Sequence, residues 1–239
     1  MSTRRVRRVL GGLLCAWLAH AAAEPQLTPF TGTYAIQHGA MQIGESTFAL
    51  RVGGANSYVL ESRTNPKGVA KLMVGAITET SEFELDGDGL RPLRFNATES
   101  RGKISQSVTF DWAQGVAHSQ RDGESAELTL KPRVLDHSLI QIALMRDLAS
   151  GQTLAPYFIV EKNQLRKYDY ERVGEEDVET PAGKFHAVQV RQSRADSSRE
   201  LYFWCAPELA YLPVRLEQRK DGKALLTMVL TSARGVGGN

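Results

Sequence analysis

Two short stretches carry side chains that could do chemistry. Residues 201–213, LYFWCAPELAYLP, place a thiol at Cys205, and residues 136–138 read Asp-His-Ser, the residue types of a hydrolytic triad. A nucleophilic cysteine needs thiolate character from a cation, a histidine or a helix N-terminus. The neighbours of Cys205 are Phe203, Trp204, Ala206 and Pro207. Such apolar surroundings raise the thiol pKa, so the sulfur is expected to be inert filling. Alternation puts Leu201, Phe203 and Cys205 on one face of a strand and Tyr202 and Trp204 on the other. Both faces are apolar, which predicts a strand covered on both sides. The Asp136-His137-Ser138 run has the wrong spacing for a triad. Neighbours on a helix diverge by about 100°, and no strained G-x-S-x-G elbow is present. Asp136 is better read as a helix cap. No catalytic residue is therefore expected.

Metal chemistry finds no better footing. His38, His118, His137 and His186 have no second histidine or cysteine at ligand spacing, and no H-E-x-x-H or paired C-x-x-C occurs. Asp86-Gly87-Asp88-Gly89 opens like a calcium loop but lacks the later acceptors and the closing glutamate, so it reads as a hairpin turn. Asn96-Ala97-Thr98 matches a glycosylation sequon, a short pattern that recurs by chance. No phosphate-cradling glycine loop is present. Neither a metal nor a cofactor is expected.

The N-terminus looks like an address. Arg4, Arg5, Arg7 and Arg8 precede an apolar run from Val9 to about Leu18 and the small residues Ala19 to Ala23. This is the layout of a secretory signal peptide over residues 1–23, cleaved after Ala21-Ala22-Ala23. The run is shorter than the roughly 20 residues that span a bilayer. Four of the 29 basic residues and none of the 27 acids lie in this segment, so the formal charge of +2 becomes −2 on export. No basic stripe remains for nucleic acid. No later run is long enough to cross a membrane, and Cys205 is left without a partner for an intramolecular disulfide. A periplasmic location follows as the expectation.

The positioning elements are strands. From Thr31 to Leu130, period-two alternation is broken by Gly, Asp and Asn turns, the sign of half-buried antiparallel strands. Residues 135–149, LDHSLIQIALMRDLA, change period, and Asp136 and Gly151 mark a helix over 136–149. Its apolar stripe (Leu135, Leu139, Ile142, Ala143, widened by Ile140, Leu144 and Leu148) suits a helix buried on more than one side. Strands resume at Tyr157–Glu161, Arg166–Val173, Glu175–Glu179, Phe185–Arg191, Glu200–Cys205, Leu212–Gln218 and Ala224–Thr231. Pro213 cannot donate to a ladder and so marks an edge or the first part of its strand. Residues 64–76, TNPKGVAKLMVGA, set Lys67 and Lys71 beside Val69, Leu72, Met73 and Val74. They read as a loop or short helix over the sheet, or as a lip that touches lipid or ligand. Residues 24–239 thus form one mainly β domain, a curved antiparallel sheet of half-barrel or open-barrel type. Strand-rich halves flank one buried α-helix.

Three segments carry a resemblance: FTGTYAIQHGAMQIGESTFAL (30–50), VLDHSLIQIALMRDLASGQ (134–152) and DVETPAGKFHAVQV…LYFWCAPELAYLPVRLE (177–217). Together they resemble an exported bacterial family known as domain of unknown function 3108. The Thr180-Pro181-Ala182-Gly183-x-Phe185 turn, followed by an aromatic-Trp-x-Ala-Pro strand, is the most specific part. The resemblance implies an envelope location and a β-rich fold with a helix against the sheet, and no activity. The expected function is non-catalytic binding or carriage of a lipid or other apolar ligand, with Leu72, Met73, Leu139, Leu144 and Trp204 as candidate contacts. The alternative is an envelope assembly protein that recruits a protein partner by strand addition to a sheet edge. A hydrolase comes third.

Overall fold

The computed structural model describes residues 27–237 except 55 and 88. The expected signal peptide lies outside the described residues. The first half of the chain builds β1 (Phe30–His38), β2 (Met41–Val52), β3 (Ser57–Pro66), β4 (Ile77–Asp86), β5 (Gly89–Glu99), β6 (Ser105–Asp111), β7 (Val116–Arg121) and β8 (Glu124–Thr129). A one-turn helix α1 (Ala70–Met73) joins β3 to β4. The short β9 (Val134–Asp136) leads into α2 (Ile140–Ala149). The second half adds β10 (Tyr157–Glu161), β11 (Gln164–Thr180), β12 (Gly183–Ser193), β13 (Arg199–Ala206), β14 (Leu212–Lys220) and β15 (Lys223–Arg234).

All fifteen strands form one open sheet in the order β8-β7-β6-β5-β4-β3-β2-β1-β15-β14-β13-β12-β11-β10-β9. Neighbours are antiparallel except β9 and β10, which run parallel. Pairing of β1 with both β2 and β15 stitches the two halves together. A sheet this wide must curl or split, because each strand twists against the next. Here it curls, and its two ends pack together without pairing. Val134 and Val160 from one end share a cluster with Phe95, Val108, Phe110 and Ala117 from the other. The hydroxyl of Ser81 on β4 donates to Asp136 at the end of β9 at 2.8 Å, which ties the ends further.

Helix α2 is buried, as its broad apolar stripe predicts: Ile140, Ile142, Ala143, Leu144 and Leu148 are all covered. It packs with Tyr34, Leu60, Phe83, Phe203 and Leu230 in the larger core. Its start differs from expectation. Asp136 ends a strand, and the helix begins at Ile140. The Asp136 carboxylate still accepts the N–H groups of Ser138 at 3.0 Å and Leu139 at 3.2 Å, so it satisfies donors just ahead of the helix. The two strands expected around Gly174 are one 17-residue strand, β11, with its register shifted by one residue between Arg172 and Gly174. A bulge lets a strand bend without ending it. Pro213 lies second in β14, and its carbonyl accepts the Tyr34 hydroxyl at 2.8 Å. The Asp221-Gly222 turn uses positive φ at both residues, 49° and 74°, which matches hairpin twist.

Candidate functional site

One lateral row of the sheet prepares the site. Register pairs Phe48 of β2 with Ser62 of β3, Ser62 with Glu79 of β4, Glu79 with Ala97 of β5, Ala97 with Gln106 of β6, and Gln106 with Arg121 of β7. The pleat sends residues at one level of neighbouring strands to the same face. The next row towards the core reads Leu50, Leu60, Ser81, Phe95, Val108 and Ser119. The interior therefore turns from apolar to polar within two residues along several strands at once.

A cavity of about 450 Å³ opens at that level. Phe48, Ile140, Ile159, Leu201, Phe203 and Leu216 give it an apolar wall, and Glu79, Gln106, Arg121, His137 and Gln141 give it a polar one. Glu79 organises the polar side. His137 Nε2 lies 2.7 Å from Glu79 Oε1. The hydroxyls of Ser62 and Ser138 each donate to Glu79 Oε2 at 3.0 Å. Burial alone would raise the Glu79 pKa, but the His137 charge and these three hydrogen bonds outweigh it and hold the carboxyl at about 2. Burial would likewise lower the His137 pKa, and the Glu79 carboxylate overcomes this and raises it. The imidazole also packs edge-on to Phe95, with ring centres 4.9 Å apart.

Asp136 behaves in the opposite way. Burial dominates and pushes its carboxyl up to about 6, against the lowering effects of His137 and of donors from Ser81, Leu139 and Ser138. Its Oδ2 is buried with no hydrogen-bond partner. Two further orphans line the cavity itself. Gln106 accepts from Arg121 at 3.2 Å through Oε1, and its Nε2 has no partner. Gln141 Nε2 is also buried and unpaired. Each orphan donor costs roughly 1–3 kcal/mol until an acceptor reaches it.

The Asp136-His137-Ser138 run does not assemble as a triad. Ser138 and His137 both bond to Glu79, and Asp136 bonds to Ser81 and backbone N–H groups. A carboxylate held near pKa 2 is a weak base for a serine hydroxyl at neutral pH. Cys205 is 0 % exposed, lies on the Phe203 side of β13 and does not line the cavity. Burial pushes its thiol far above the usual range. Among the described residues, no group of three His, Cys, Asp or Glu side chains could hold a metal ion.

The five expected contact residues are split between the larger core cluster, which holds Leu139, Leu144 and Trp204, and an exposed tip, which holds Leu72 and Met73. Leu139 and Leu144 are 0 % exposed in the core. Trp204 is buried on the face of β13 opposite Phe203, where its indole N–H donates to Glu176 and its ring lies 4.6 Å under the Arg215 guanidinium. Leu72 and Met73 stand out on α1 at 78 % and 75 % exposure. None of the five lines the cavity. The alternation that separated Leu201 and Phe203 from Trp204 was legible, but which face looks inward was not. A signal for Glu79 and Gln106 also existed. Each precedes apolar residues at its own i+4 position, Phe83 and Phe110, so each lies at the end of an inward-facing row.

A second hollow of about 800 Å³, lined by Leu27, Phe30, Ile142, Met145 and Val236 among others, lies at the far end of α2. It borders the first and last described residues.

Comparison with known proteins agrees with this architecture. Residues 33–231 match the family described as "Protein of unknown function (DUF3108)", and the chain belongs to that family. No curated protein matches it. Among solved structures, it resembles a β-barrel-like protein of domain of unknown function DUF1849 from Brucella abortus. That likeness has 9 % identity and a TM-score of 0.58, and covers 87 % of this chain and 98 % of the other. A Bacteroides fragilis protein with a YmcC-like fold follows, at 12 % identity and TM-score 0.40 over 88 % of this chain and 97 % of that one. The complex of MucA and MucB from Pseudomonas aeruginosa gives 15 % identity and TM-score 0.32 over 89 % of this chain and 53 % of that one. Only the first is close enough to speak to the fold.

Proposed function

We propose that this protein is a non-catalytic binding protein of the bacterial envelope that holds an amphiphile, a lipid or other largely apolar molecule, in the cavity beside the start of α2. The observation that carries this reading is the division of that cavity. Phe48, Leu201, Phe203 and Leu216 offer a hydrocarbon surface, while Gln106 and Gln141 keep unpaired amide donors at its other wall. A pocket of a few hundred cubic ångströms, mostly apolar with a few convergent polar groups, is the usual form of a small-molecule site. The arginine-led, apolar N-terminal stretch supports a periplasmic location. The shared bonding of His137 and Ser138 to Glu79 argues against hydrolysis.

The test is native mass spectrometry of protein purified gently from the envelope, followed by uptake of a fluorescent fatty acid by delipidated protein. A one-to-one adduct, lost when Leu216→Trp fills the cavity, is the expected result. Delipidated, folded protein that takes up neither a fatty acid nor a phospholipid overturns the reading.

A second reading has its own support. Among the described residues, strand β8 pairs only with β7 in the sheet, and its outer edge is free apart from the Glu124 carbonyl, which accepts from Asn163 at 3.1 Å. A free edge can recruit a partner by strand addition. In-cell crosslinking from β8 that yields one reproducible protein would favour this second role, and a lone monomer would remove it.

A further inference from the structure

Leu72, Met73 and Val69, at 78 %, 75 % and 65 %, are the most exposed large apolar side chains among the described residues, and they sit on one tip. Scattered exposed apolar residues need no explanation, but three together at a protruding turn do. The tip is not loose. The last carbonyls of α1 are satisfied by cations from the β5–β6 loop: Arg101 donates to the carbonyls of Lys71 and Leu72, and Lys103 Nζ donates to that of Met73 at 2.9 Å. Basic side chains suit a helix C-terminus because they meet unpaired carbonyls and the negative end of the dipole. Behind the tip, Gly75 N–H donates to the Glu99 carboxylate, and a Cβ at Gly75 would overlap that carboxylate. Ala76 and Ser100 bond to each other twice, through Ala76 N–H to the Ser100 hydroxyl and Ser100 N–H to the Ala76 carbonyl. The apolar side chains are thus held outward on a built support.

The exposed charge around the tip is mainly basic, with the Glu99 carboxylate buried behind it. Lys71, Arg101 and Lys103 make no ion pair among the described residues, and Lys67 alone is paired, to Glu45 at 3.0 Å. We propose that the α1 tip, with Val69, Leu72 and Met73 ringed by Lys71, Arg101 and Lys103, is a docking point for the surface of an anionic phospholipid bilayer. A protein partner fits less well. A stable protein interface buries about 800 Å² per side, far more than three side chains on a four-residue helix supply. A bilayer surface asks only for shallow apolar insertion beside cations that meet lipid phosphates.

The tip also stands at the same end of the sheet as the cavity. It links Pro66 to Ile77, two residues before Glu79, and its supporting loop, residues 100–104, ends two residues before Gln106 in β6. Docking there points the cavity end at the lipid. This last clause rests on the function proposed above; the docking itself does not.

Vesicle co-sedimentation tests it with protein purified from the envelope. Binding is expected to vesicles with about 30 % phosphatidylglycerol in phosphatidylcholine and not to phosphatidylcholine alone, and to weaken in high salt. The variant Leu72→Ser/Met73→Ser should lose about tenfold in bound fraction, and Lys71→Gln a smaller part. Both change exposed side chains, so circular dichroism should match the parent. An environment-sensitive dye on Leu72→Cys reports insertion directly, because the buried Cys205 stays unlabelled in folded protein. Its emission should shift to the blue only with anionic vesicles. Equal sedimentation of parent and variants, or no shift, overturns the proposal. So does a crosslinker at position 72 that captures one protein while vesicles are ignored. Retained fatty-acid uptake in the serine variant would show that the docking point and the cavity are separate features.

Discussion

Two regions of the same interior, one row of the sheet apart, behave differently. Around Cys205, Tyr34 and Leu144 the interior is filled and dry. There burial raises the Cys205 thiol and the Tyr34 hydroxyl far above their ordinary ranges, so both stay neutral. Around Glu79 the same sheet encloses a cavity, and a carboxylate is held ionised by His137, Ser62 and Ser138. Apolar side chains interdigitate at crystal-like density, whereas polar ones must spend their geometry on partners and so leave space. A change of residue type along the inward-facing positions is enough to convert packing into a pocket.

The sharpest way to break this comparison is a truncation on each side. Leu144→Ala in the filled region should cost about 2–5 kcal/mol, since a cavity opens where none existed. Leu201→Ala, on a wall that already faces a hollow, should cost about 1 kcal/mol or less. Urea denaturation of both variants checks this, and equal losses would show that the two regions are packed alike.

The next effect separates the two carboxyls by sign. Asp136 has its folded pKa raised from 3.8 to about 6, so its ionisation destabilises the fold as pH rises through that interval. Asp136→Asn keeps the acceptor oxygen and removes the charge. It should therefore be more stable than the parent by roughly 2–3 kcal/mol above pH 6, with the gain vanishing below pH 4. Glu79 is depressed from 4.5 to about 2, so it contributes stability above pH 4.5 that is lost as pH falls towards 2. Glu79→Gln should cost on the order of 1–3 kcal/mol at pH 7 and little at pH 2.5, by thermal melts across pH. If both variants moved stability in the same direction at pH 7, the contrast between the regions would be lost.

His137 gives a smaller effect of the same kind. Its folded pKa is raised, so its pairing with Glu79 is fully present below the ordinary imidazole value and is lost as pH rises through the folded pKa. With nearly half of the imidazole open to solvent, the contribution is expected to be under about 1 kcal/mol. His137→Gln should flatten the alkaline side of the stability profile. The smallest effect concerns the thiol. Cys205→Ala should cost about 1 kcal/mol, and native Cys205 should react with a thiol reagent only as fast as the protein opens. Rapid labelling of folded protein would move Cys205 out of the dry region.

Much of the fold was written in local pattern. Alternation with Gly and Asp turns specified the strands, the change of period at residues 135–149 specified the buried helix, and the neighbours of Cys205 specified a buried sulfur. These features are legible because they depend on neighbours within a few residues. The site was not, because it depends on register. Phe48, Glu79, Gln106 and Arg121 belong to four strands and meet only after the sheet sets them at one level. Trp204 shows the same limit: period two says that it and Phe203 face opposite ways, while only the curl of the sheet decides which of them looks at the cavity.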